Sequence, residues 1–104
     1  MDYAFKYTEK SPLETENDYP YVGLDADCSF KAEKGKVSAK GYTDVPPNDP
    51  TQMKAALKKG PVSVGIQADS KHFQMYKSGV LNAEDCGTNI DHGVLAVGYG
   101  KQAD

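Results

Sequence analysis

Apolar residues recur at helical spacing at the start of the chain, where Tyr3, Ala4 and Tyr7 share a face with Phe5 alongside. The spacing predicts a short amphipathic helix over Asp2 to Lys10, stopped by Ser11-Pro12. No capping residue precedes it, so this helix is expected to be one cut into at its start. Leu13 to Lys36 has no such period and carries turn residues at Tyr19-Pro20-Tyr21, Gly23, Asp25 and Asp27, which predicts a long loop. Val37 to Val45 is expected to hold a strand. Pro46-Pro47-Asn48-Asp49-Pro50 then forces an irregular crossing and marks the expected boundary between two lobes.

The strongest local signal follows. Asp49 can accept the free amides of a first helical turn, and Pro50 suits the first helical position, where its missing N–H has no partner anyway. Met53, Ala56 and Leu57 form the apolar face, and Lys58 and Lys59 complement the carboxyl end of the dipole. Gly60 is expected to take a left-handed cap before Pro61. Val62 to Gln67 alternates with period two, with Val62, Val64 and Ile66 on one face and Ser63, Gly65 and Gln67 on the other. A short helical turn is expected around His72 to Tyr76. Gly93 to Tyr99 is almost continuously apolar, which predicts a strand buried on both faces. The order of helix, long loop, strand, helix, strand, turn and strand is an α+β pattern with mostly antiparallel sheet in its second half.

Composition narrows the function. A chain of 104 residues with 38% hydrophobic and 26% charged residues is the size of one domain, globular but towards the polar end. A net charge of −3, with 12 basic residues mostly dispersed, supplies no footprint for nucleic acid or an anionic membrane. No apolar run approaches the ~20 residues that span a bilayer, and Met1 to Tyr7 lacks the basic start and apolar stretch of a signal peptide. Cys28 and Cys86 suffice for one disulfide with each other, or stand as two reduced thiols.

His92 stands between Asp91 and Gly93 at the mouth of the apolar strand. An imidazole on a rigid element, with space left by a neighbouring glycine, suits a general base; it also suits a histidine hydrogen-bonded at a strand end. His72 lies on an exposed turn and reads as solvated. Cys86 and His92 lack a second close ligand pair, so no metal is expected. The acidic run from Glu14 to Asp18 reads as a solvated loop, and Gly98-Tyr99-Gly100 lacks the spacing of a phosphate-binding loop.

The segments Gly60-Pro61-Val62-Ser63-Val64, Phe73-Gln74-Met75-Tyr76 and Asp91 to Gly100 resemble the papain-like cysteine proteases, and within them the cathepsin L-like branch. Met1-Asp2-Tyr3-Ala4-Phe5 and Tyr19-Pro20-Tyr21 match in the same order. The resemblance covers essentially the whole chain and departs from the family by one residue at Ser11-Pro12, where relatives often carry paired glycines.

The resemblance implies a partial papain-like α+β fold: residues 1–43 as the end of the helical lobe, and 44–104 as most of an antiparallel β-barrel-like lobe. It implies that His92 is the catalytic histidine of a thiolate–imidazolium pair, with the nucleophilic cysteine and the orienting asparagine outside this chain. The nucleophile is expected some 130–150 residues before the histidine and asparagine region. The resemblance matches Cys28 and Cys86 to half-cystines whose partners also lie outside. It places Met1, Gly65, Ile90, Asp91 and Gly93 around the pocket for the second residue before the scissile bond. Gly65 is expected to leave that pocket roomy and Met1 to give it an adaptable apolar wall.

Implied partners are protein or peptide substrates with a bulky hydrophobic residue at that position, and propeptide or cystatin-like inhibitors. No cofactor, nucleic acid or membrane is implied, and the implied location is lysosomal, vacuolar or secreted. Two alternatives share the fold: a non-catalytic binding homologue, and a silicatein-like homologue with serine as nucleophile. The 104 residues alone are expected to be inactive. Whatever order survives in them is expected from about Thr43 onwards.

Overall fold

Helix α1 (Asp2–Lys10) forms where the apolar spacing puts it; Met1 occupies its cap position without a side-chain cap bond, and the Ser11 amide closes the last turn on Tyr7 O at 2.9 Å. The computed structural model describes residues 1–103; Asp104, the last position of the expected β-rich lobe, lies outside the described residues. The chain divides into two compact units, Met1–Asp44 and Val45–Asp104.

In the first unit the long loop is tied back by a single backbone bridge, Leu13 with Val37, in which the Leu13 amide donates to Val37 O at 2.7 Å. Side chains do the rest. Glu14 Oε2 accepts from the Lys31 amide, Glu16 Oε1 from the Tyr21 amide and the Tyr19 hydroxyl oxygen from the Ser29 amide, at 3.2, 3.0 and 2.9 Å. The acidic run expected to be merely solvated therefore also satisfies loop amides that have no secondary-structure partner. Phe5 packs against Tyr42 and Tyr7 meets Phe30 edge-on, with ring centroids 6.2 and 6.3 Å apart. One short 3₁₀ turn, Ala32–Lys34, interrupts the loop.

The strand expected over Val37 to Val45 does not form: Val37 makes only the bridge to Leu13. Gly41 adopts φ 138°, which breaks an extended run.

In the second unit Asn48 enters the left-handed region at φ 57°, a conformation that asparagine tolerates, just ahead of the helix cap. Helix α2 (Pro50–Lys59) then starts as expected, with Asp49 Oδ1 accepting from the Gln52 amide at 3.0 Å and Pro50 in the first turn. Its far end differs from expectation. Gly60 lies at φ 158° and ψ 179°, outside the left-handed helical well and in a positive-φ region open mainly to glycine, and the following Pro61 disfavours helical backbone at this position.

Strand β1 (Val62–Ile66) pairs antiparallel with β2 (His92–Ala96) in register Val62 with Ala96, Val64 with Val94, Gly65 with Gly93 and Ile66 with His92. Between them lies the short helix α3 (Lys71–Gln74), with Ser70 Oγ accepting from the Phe73 amide at 3.2 Å. These elements confirm the α+β class; among the described residues the sheet has two strands. The apolar run of β2 is not buried on both faces. Val94 and Ala96 are half-buried, whereas Leu95 and Val97 are 57% and 75% exposed. In a two-stranded sheet, alternation sends every second side chain to the uncovered face. No described residue is fully buried, so backbone pairing and half-covered apolar faces carry the order.

Candidate active site

His92 is the first residue of β2, and its backbone is fixed by pairing with Ile66 while its side chain stays exposed. A ring held at a ladder's end yet open to solvent can take up and release a proton without moving its backbone.

The chain before His92 is anchored to the end of β1. The Asp91 amide donates to Ile66 O at 3.0 Å, and Asp91 Oδ1 accepts from the Ala68 amide at 2.7 Å. Asp91, named from the sequence as a pocket residue, thus spends one carboxylate oxygen on the backbone two residues past Ile66. Charge-assisted bonds of this kind are among the stronger ones.

Gly65 and Gly93 pair across the sheet, which brings the two glycines together as small neighbours. The space above Gly65 is not simply vacant: a β-carbon there would stand 2.7 Å from Ile90 Cγ2. The glycine lets Ile90 lie down over β1, so Ile90 supplies the apolar surface at this point, and Ile90 remains 63% exposed. Gly65, Gln67, Phe73, Cys86, Gly87 and Ile90 are among the residues that line an adjoining cavity of about 220 Å³.

The structure therefore gathers Gly65, Ile90, Asp91, His92 and Gly93 at one end of the ladder. Met1, 55% exposed, belongs to the first unit. Cys28 and Cys86 are both free and exposed. His72 is open to solvent, with Nδ1 at 3.7 Å from Asp85 Oδ1. Among the described residues no three His, Cys, Asp or Glu side chains assemble into a metal-binding group, and no helix is long and apolar enough to cross a membrane.

Sequence reasoning gave Gln67 and Gly87 no role. Gln67 Oε1 accepts from the Asn89 amide at 3.0 Å, and a β-carbon at Gly87 would overlap that same oxygen. The available signal was the alternation that puts Gln67 on the face of Gly65; its partner, 22 residues on, carries no local mark.

Comparison with known proteins identifies the family. The family described as papain family cysteine protease matches residues 1–104. The chain is 49% identical over 104 residues to the germination-specific cysteine protease 1 of Arabidopsis thaliana, covering 98% of this chain and 27% of that protein. To the cathepsin L-like peptidase of Aedes aegypti it is 45% identical, covering 96% and 30%. The chain thus spans less than a third of the length of these curated relatives.

Among solved structures, digestive procathepsin L 3 of Tenebrio molitor superposes with a TM-score of 0.87 at 34% identity, covering 98% of this chain and 34% of that one. The Carica candamarcensis cysteine protease CMS1MS2, in complex with E-64, gives 0.81 at 35% identity, covering 95% and 46%. With a family match along its whole length, the chain belongs to the papain family of cysteine proteases.

Proposed function

We propose that this chain is the imidazole-bearing part of a papain-like cysteine endopeptidase. His92 exchanges a proton with a cysteine thiol supplied by another part of the full-length protein. The thiolate attacks the peptide carbonyl, and His92 then protonates the leaving amine. The observation that carries this reading is the exposed His92 ring on a backbone held by the β1–β2 ladder and by the two bonds of Asp91. The names of the relatives, cysteine proteases and a cathepsin L-like peptidase, support sulfur as the nucleophile.

On this reading Ile90, lying over Gly65, forms an apolar wall for the second residue before the scissile bond, with Gly93 beside it. The preferred residue is bulky and hydrophobic. Asp91 acts mainly by holding that wall and the histidine in place. Cys28 and Cys86, both exposed, form disulfides with cysteines elsewhere in the protein, which suits a lysosomal, vacuolar or secreted setting.

The full-length protein is expected to cleave a Phe-Arg or Leu-Arg peptide in a thiol-dependent manner and to be titrated by E-64. His92→Ala is expected to lower kcat/KM by about a thousandfold or more, since it removes a general base and the partner of the thiolate together. Undiminished cleavage by that variant, or no cleavage by the wild type, refutes the proposal.

A further inference from the structure

We infer that Gln67 is a positioning residue for the substrate pocket, holding the Ile90 wall through a hydrogen bond to the Asn89 amide. The inference rests on the protease reading and adds a residue that touches neither substrate nor His92.

Strand β1 ends at Ile66, yet the two chain segments stay joined past that point. Three bonds do this: Asp91 N–H to Ile66 O at 3.0 Å, Ala68 N–H to Asp91 Oδ1 at 2.7 Å, and Asn89 N–H to Gln67 Oε1 at 3.0 Å. Ile90 is the residue between two tethered amides, those of Asn89 and Asp91. Its exposed side chain gains little restraint from packing, so its place over Gly65 depends on the backbone on either side. On the Asp91 side the ladder supplies that restraint. On the Asn89 side Gln67 supplies it.

The orientation of the Gln67 amide is itself set. Nε2 donates to Asp69 Oδ1 at 2.7 Å, and a carboxylate can only accept, so the oxygen end of the amide is the one that faces Asn89. Gly87 completes the fit. Gln67 Oε1 occupies the place a β-carbon at Gly87 would take, so the loop passes close over this side chain only because residue 87 is glycine. The contact lines the cavity of about 220 Å³ beside Ile90. His92 is held separately, by its pairing with Ile66. Losing the Gln67 bond should therefore loosen the wall and leave the histidine in place, a change in KM rather than in kcat.

The test uses the full-length protein and two peptide substrates that differ only in Phe or Val at the second residue before the scissile bond. Gln67→Met keeps the length and removes the acceptor. It is expected to raise KM for the Phe peptide about fivefold to tenfold, the size of one lost hydrogen bond, with kcat within about twofold and the preference for Phe reduced. Gln67→Glu combined with Asp69→Asn reverses donor and acceptor within the pair while keeping an oxygen towards Asn89; it is expected to bring KM back to within about twofold of wild type. An unshifted KM in Gln67→Met, or equal losses of kcat in both variants, overturns the inference while leaving the protease reading intact. Absence of cleavage by the wild type overturns the protease reading, and the inference with it.

Discussion

In Met1–Asp44 the loop after α1 is held by side chains that reach backbone amides one at a time: Glu14 to Lys31, Glu16 to Tyr21, Tyr19 to Ser29. In Val45–Asp104 the backbone pairs with itself along β1 and β2, and side chains at Gln67 and Asp91 extend that pairing past the ladder's end. Separate bonds on a loop fail separately, each opening a small region, whereas a ladder resists opening as a unit. A proton-transferring group benefits from the second kind of support, because misplacement by about 1 Å can cost a hundredfold in rate. His92 sits on the ladder, while no catalytic role is proposed for the side-chain-held loop.

The contrast can be sharpened by substitutions in each unit. The largest effect is expected where packing and function meet. Gly65→Val places a branched side chain where Ile90 Cγ2 lies and should push the wall outward. KM for a bulky hydrophobic peptide is expected to rise about tenfold, with a stability loss of about 1 kcal/mol, read by steady-state kinetics and thermal unfolding. A similar loss of about 1 kcal/mol, but without change in KM, is expected for Asp49→Ala, which removes the cap bond to Gln52; urea unfolding measures it.

In the first unit, Tyr19→Phe removes the acceptor of the Ser29 amide and is expected to cost about 0.5 kcal/mol, the low end for a solvent-exposed bond. Hydrogen exchange should show faster exchange around Ser29 and unchanged protection in β1. Spread of the change into the ladder would break the distinction drawn between the units.

The smallest effect concerns pH. The Asp44 carboxyl is raised above its usual 3.8, first by a hydrogen bond with the Asp2 side chain, then by lost solvation and by the Asp2 charge, against opposing pulls from the chain's first amino group and Lys6. The folded unit therefore holds this proton more tightly than the unfolded chain does. The resulting stabilisation is complete below 3.8 and is lost as pH rises through the higher folded value. Asp2→Asn removes the charge of the partner and is expected to bring the Asp44 titration, followed by carboxyl NMR shifts, closer to the usual value. An unchanged titration would assign the shift to another cause.

Local structure was largely legible in the sequence. The bounds of α1, the Asp49–Pro50 start of α2 and the alternation of β1 all rest on caps, prolines and side-chain periods, which act over one or two turns and are written in consecutive residues. The reading failed where one local rule overrode another, or where the pairing of a segment was decided outside it. Gly60 yields to Pro61 just after it, and Val37 to Val45 finds one bridge instead of a partner strand. The apolar β2 run is half-uncovered because only one strand flanks it among the described residues.

The family's motifs pointed to His92 and to Gly65, Ile90, Asp91 and Gly93 as site residues, and the tertiary structure decided how they meet. It laid Ile90 over Gly65, turned the Asp91 carboxylate to the Ala68 amide and set Gln67 beneath Asn89. These contacts join residues more than twenty positions apart. The free energy of such a contact depends on closing the chain between its ends, and no pattern within either segment encodes that closure.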